Sequence, residues 1–131
     1  MTYEQFISAV GRRAEVPEDQ AEEPARAVLS VLADRFTAGE ADDIASQLPK
    51  PLKEVMIPGQ PRAQGFGLEE FIRRVASRAG VPEEDATRGA RAVMTTLREA
   101  ISGGEFEDMM AQLPGEFSQL VDRTAAPSPA S

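Results

Sequence analysis

The chain has 131 residues with 14 basic and 22 acidic side chains, a net charge of −8, and neither Cys nor His. Without Cys there is no disulfide framework, and without His as well, Ser-His, Cys-His and ordinary zinc arrangements cannot be built. The charge runs against sequence-independent nucleic-acid binding and against docking on an anionic membrane, both of which need excess Lys and Arg.

The length suits one domain or two small subdomains sharing a core. No apolar run approaches the ~20 residues of a membrane span. The N-terminus Met-Thr-Tyr-Glu-Gln lacks the basic start and apolar stretch of a secretory signal, so the cytoplasm is the expected compartment.

Thr2 with Gln5 three residues on is a capping box. Behind it Tyr3, Phe6, Ile7, Val10 and Ala14 fall on one helical stripe, with Glu4, Ser8, Arg12 and Arg13 on the outer face. Pro17 is expected at the first position of a second helix, with Glu18 and Asp19 against its positive end. That helix, the longest of its half, buries Ala21, Ala25, Val28, Leu29, Leu32 and Phe36. Pro24 should kink it or shift its start. Gly39 breaks it, and Glu40 to Pro49 reads as a short helix with Ile44 and Leu48 one turn apart. Pro51 to Met56 adds a last turn. Residues 57–67, with Pro58, Gly59, Gly65 and Gly67, read as a linker on which Phe66 anchors to the core.

The order then repeats. Adding 65 to any residue number from 3 to 56 reaches its counterpart without a gap, and roughly 21 of about 54 positions are identical. Leu68, Phe71, Ile72, Val75 and Ala79 form the first stripe, closed by Gly80, a residue suited to a left-handed cap. Ala86, Ala90, Val93, Met94, Leu97 and Ile101 form the second. Gly89, at the place of Pro24, is also a weak helix residue. Gly104 is the expected break, Glu105 to Pro114 the short helix, and Phe117 with Leu120 the last turn. The expected fold is therefore all-α: two tandem copies of a three-to-four-helix unit, residues 1–56 and 68–123, packed with pseudo-twofold symmetry into one bundle. Residues 124–131 lack an apolar anchor and are expected to be disordered.

Four matched groups are the candidates for interaction or structural tethering. Glu40 with Asp43, and Glu105 with Asp108, are carboxylate pairs able in principle to do acid–base work or hold a hard cation. Their plainer role is to compensate the dipole at a helix start, and no metal or cofactor is expected. Arg26 and Arg91 follow small alanines on the long helices. Each is expected to tie its helix to Glu40 or Asp43, or to Glu105 or Asp108, against the alternative of an exposed Glu22–Arg26 pair or an anion site. Gln47 and Gln112, each before Leu-Pro, are placed to bond a free helix-end carbonyl or to face a partner.

The chain resembles the bacterial family known as domain of unknown function 2267. The features that carry this are Phe6 and Phe71 with Val10 and Val75, the Ala-Arg-Ala-Val of residues 25–28 and 90–93, and the Gly-Glu…Gln-Leu-Pro of 39–49 and 104–114. The resemblance implies a small, duplicated, all-helical cytoplasmic protein, and it brings no catalytic residue with it.

Three functions fit these residues. The first is a non-enzymatic interaction or regulatory module, in a setting such as stress or envelope homeostasis, with a groove for a protein partner or for self-association. The second is a carrier holding a small molecule between the repeats near Arg26 or Arg91. The third, an enzyme using the paired carboxylates, ranks last, and the expectation is that the chain is not an enzyme.

Overall fold

The computed structural model describes residues 1–60 and 62–121, and among them every element is helical. Helix α1 spans Tyr3–Ala14, α2 Glu22–Ala33, α3 Ala38–Ala45, α4 Lys50–Lys53, α5 Leu68–Ala79, α6 Glu83–Ala100 and α7 Gly103–Ala111. Two 3-10 segments, Glu18–Gln20 and Gly115–Leu120, complete the set. The tail expected to be disordered, with Pro61 of the linker and residues 122–123, lies outside the described residues.

Local chemistry sets most of the helix ends. Thr2 Oγ1 accepts from the Gln5 N–H at 3.1 Å, and Gln5 Oε1 accepts from the Thr2 N–H at 2.8 Å, completing the expected box. Thr37 and Glu40 build a second box at α3, and Ser102 caps α7 by accepting from the Glu105 N–H. Helices α1 and α5 both end in the left-handed region, at Glu15 with φ 59° and at Gly80 with φ 68°. The first lacks glycine's freedom there and carries a steric cost that the second avoids.

The apolar stripes are buried except at Tyr3, Leu68 and Ala79, which are half-buried at the edge of the core. Phe6, Val10, Phe71 and Val75 are fully covered, as are Ala25, Val28, Leu29, Leu32, Ala90, Val93, Met94 and Leu97. All join one cluster that also takes in Ile44, Leu52, Met109, Phe117 and Phe66. The rings of Phe71 and Phe117 meet edge to face with centroids 5.3 Å apart.

The packing partners cross the midpoint of the chain. Helix α1 lies mainly on α6 and touches α2 far less, while α5 lies on both α2 and α6. Helices α2 and α6 pack on each other at the centre, and α3 packs on α7. The stripe of α1 is therefore covered mainly from the other half, whereas α5 packs on α6 of its own half as well as on α2.

Several expectations need correction. Pro17 and Pro82 are the capping residues before the 3-10 segment and α6, not the first helical residues. Pro24 shifts the start of its helix: α2 begins at Glu22, so its 12 residues equal those of α1, whereas α6 runs 18 residues straight through Gly89. The difference lies in hydrogen bonding, because proline cannot supply the interior N–H that glycine retains. Gly39 and Gly104 do not break the preceding helices but lie in the first turns of α3 and α7, whose starts are set by Thr37 and Ser102.

Candidate functional site

Two of the side chains that join the halves are arginines on the last turns of α1 and α5. Arg13 Nη1 lies 2.8 Å from Glu99 Oε1 and donates to Thr96 Oγ1 at 2.9 Å, both on α6. Arg78 Nη2 lies 2.8 Å from Asp34 Oδ2, just past α2, and its Nη1 donates to Ser30 Oγ at 2.7 Å. In the 65-residue offset Arg13 matches Arg78, and Asp34 matches Glu99. The sequence pattern assigned Arg13 to the outer face of α1. It is half-buried instead, because α6 covers that side.

Each of these arginines opens onto a cleft that also holds one of the repeated long-helix arginines. The larger, of about 530 Å³, is lined by Arg13, Arg91, Ala92, Thr95, Gln119 and Leu120 among others. The other, of about 300 Å³, is lined by Glu23, Arg26, Ala27, Ser30, Val55 and Arg78. Five of the lining positions correspond one to one under the offset of 65.

The tether expected from Arg26 to Glu40 or Asp43 does not form among the described residues. Arg26 Nη1 stands 3.9 Å from Glu22 Oε1, one turn back on an exposed face. Arg91 makes no ion pair with Glu105 or Asp108 among them either. The reason is direction: both arginines face the clefts, away from α3 and α7.

The carboxylates do meet, but with each other. Glu40, Asp43, Glu105 and Asp108 line one cleft of about 340 Å³ where α3 and α7 pack, with Phe36, Ile44, Met109 and Gln112. Glu40 Oε1 is engaged by the Thr37 N–H at 2.8 Å, which is the helix-start role. Burial, with the charges of Asp43 and Asp108 beside it, raises the Glu105 carboxyl above its ordinary value. Among the described residues no group of three or more acidic side chains is placed to hold a metal ion.

Gln47 reaches across the halves: its Oε1 accepts from the Ser102 N–H, the capping residue of α7, at 2.6 Å. It acts as an acceptor for a helix start, not as the donor to a helix-end carbonyl that its position suggests. At Gln112 it is the backbone oxygen that works, accepting from Arg35 Nη2 at 3.1 Å.

Arg35 and Asp34 are the positions that the sequence pattern passed over. Arg35 Nη1 donates to the carbonyls of Gln64 and Phe66 at 3.0 and 2.9 Å, and burial lowers its pKa. The Arg74 guanidinium stacks on Phe66 at 3.9 Å and donates to Gln64 Oε1. Asp34 Oδ1 accepts from the Gly59 N–H, and its carbonyl accepts from the Gln64 N–H. Gly59, Gln64 and Phe66 are thus fastened to the end of α2. The one available signal was an Asp-Arg pair directly after a buried stripe, which periodicity alone does not interpret.

Among the described residues the geometry defines an all-helical protein with no metal constellation and with two clefts that each hold a pair of arginines. The chain belongs to the family described as Uncharacterized conserved protein (DUF2267), which matches residues 3–120. Curated proteins give no match. Among the described residues no helix is long and apolar enough to cross a membrane.

Proposed function

We propose that this protein is a non-enzymatic interaction or regulatory module, made of two copies of one helical unit related by a pseudo-twofold axis. The copies are residues 1–56 and 68–123, joined by 57–67. The observation that carries this reading is the pair of corresponding clefts, each combining an arginine of a long helix with an arginine from the other half. The exchanged ion pairs Arg13–Glu99 and Arg78–Asp34 support the same axis.

The surface favours binding through charge over an apolar groove. Among the described residues Met1, Ile57 and Val81 are the large apolar side chains left exposed, and they are scattered along the chain. A partner helix laid in by its apolar face has little to meet there. The Glu40 carboxylate is taken up by its helix cap, which supports a structural role for it.

Size-exclusion chromatography with light scattering and pull-down from host extract, on the native chain and Arg91→Ala, test the module. Retention of a defined partner or ligand that Arg91→Ala loses supports it. A strict monomer that retains nothing, with native mass spectrometry showing no bound mass, overturns it. A carrier with its ligand within the second half, and not between the repeats near Arg26 or Arg91, draws on a separate cleft of about 350 Å³ lined by Arg98, Gly103, Phe106, Glu107, Met110, Ser118 and Val121. A bound mass released by filling that cleft with Gly103→Leu would favour it.

A further inference from the structure

We propose that the cleft between Arg13 and Arg91 binds the phosphate group of a small polar phosphate ester, and that its copy at Arg78 and Arg26 does not. This rests on the module reading above and names the ligand chemistry of its stronger cleft.

The two clefts share a plan but differ in free charge. In both, the arginine on α1 or α5 is held by a carboxylate and a hydroxyl, Arg13 by Glu99 and Thr96, Arg78 by Asp34 and Ser30. That second pair of bonds fixes each guanidinium in advance, so little side-chain entropy is lost when an anion docks. The long-helix arginines are not equivalent. Arg26 has Glu22 at 3.9 Å, and Glu23 lines its cleft. Arg91 is exposed and enters no ion pair among the described residues, and Thr87 stands where Glu22 does; Arg88, at the place of Glu23, pairs with Asp85 at 3.7 Å and does not line the cleft. Among the described residues the second-half cleft is lined by two arginines and no carboxylate, whereas Glu23 stands with the two arginines of the first-half cleft.

Donor chemistry selects the anion. Arg91 offers a planar fork of five N–H groups, and Gln119 adds an amide at the rim. With the outer edge of Arg13 these outnumber what the two oxygens of a carboxylate accept and suit the three free oxygens of a phosphomonoester. A volume of about 530 Å³ leaves room for the polar body of the ester. The acidic charge elsewhere is screened over a Debye length of about 8 Å, so the local arginines decide the potential inside the cleft.

Isothermal titration of the full chain with ribose 5-phosphate, inorganic phosphate and acetate tests this, with amide shifts by NMR locating each ligand. The expected result is one site per chain for ribose 5-phosphate, weaker binding of inorganic phosphate, and none of acetate. Shifts should centre on Thr95 and Gln119 and spare Ser30 and Val55. Arg91→Ala should weaken binding by about ten- to a hundredfold, and Arg26→Ala by less than about twofold. Both arginines lie on solvent-facing sides of their helices, and unchanged thermal unfolding confirms that the variants fold. Equal loss in the two variants, two equivalent sites, or no phosphate binding below about 10 mM overturns the proposal. If phosphate fails while Arg91→Ala still loses a partner in the pull-down, the ligand chemistry is wrong and the module stands. If neither is retained, both fall.

Discussion

The Asp34 side chain is 4% exposed, yet it holds Arg78 through one oxygen and the Gly59 N–H through the other. Its offset partner Glu99 meets Arg13 with 28% of its side chain exposed. Burial decides what the two pairs contribute, since removing the nearly covered Asp34 leaves the Gly59 N–H without its acceptor, while Glu99 keeps about a quarter of its side chain in water. Asp34→Ala should lower unfolding free energy by roughly 2–3 kcal/mol in urea titration, and Glu99→Ala by less than about 1 kcal/mol.

Glu105 yields a pH prediction at the same scale. Its folded-state pKa is raised by burial first, then by the charges of Asp43 and Asp108. The folded protein therefore keeps this proton longer than the unfolded chain does. Stability contributed here is present below the ordinary carboxylate value and is lost as pH rises through the raised one. Glu105→Gln should be more stable than the native chain at pH 7, with the gain shrinking toward pH 4, as read by denaturant midpoints. The Ser102 cap is unaffected, because it accepts from the Glu105 backbone N–H.

Among the elements, the crossing of α2 and α6 is set by a matched irregularity. A Cβ on Gly89 would stand 3.3 Å from Pro24 Cβ, so the glycine of one copy makes room for the proline of the other. A Cβ on Gly104, in the first turn of α7, would meet nothing within 4 Å. The two glycines should respond in opposite ways. Gly89→Val should cost about 1–3 kcal/mol by overpacking the crossing, and Gly104→Ala should gain about 0.5–1 kcal/mol from reduced backbone freedom in the unfolded chain. Thermal unfolding of the two single variants checks both signs.

For the whole molecule, the packing of α1 on α6 makes the first half depend on the second for its cover, while α5 rests on α2 and on α6 together. Burying Phe6, Ile7 and Val10 contributes on the order of 5–9 kcal/mol, comparable to the net stability of a domain of this size. Residues 1–60 expressed alone would leave that stripe without α6. They should lack a cooperative unfolding transition by circular dichroism and calorimetry, and mixing with residues 62–131 should restore one.

Sequence alone determined what is local or periodic. The Thr2–Gln5 box, the buried stripes through Phe6 and Phe71, the Gly80 cap and the anchoring of Phe66 follow from rules that act within a few residues. The correspondence between the halves is equally legible, because a 65-residue offset needs no coordinates to be seen. Tertiary structure alone decided the partners. Arg26 and Arg91 were expected on Glu40, Asp43, Glu105 and Asp108, yet those acids collect between α3 and α7 while the arginines face clefts completed by Arg78 and Arg13. Gln47 caps a helix in the opposite half, and Arg35 fastens the linker to the ends of α2 and α7. A periodic pattern says which side of a helix is buried; which neighbour buries it, and hence which charges meet, depends on how the helices cross.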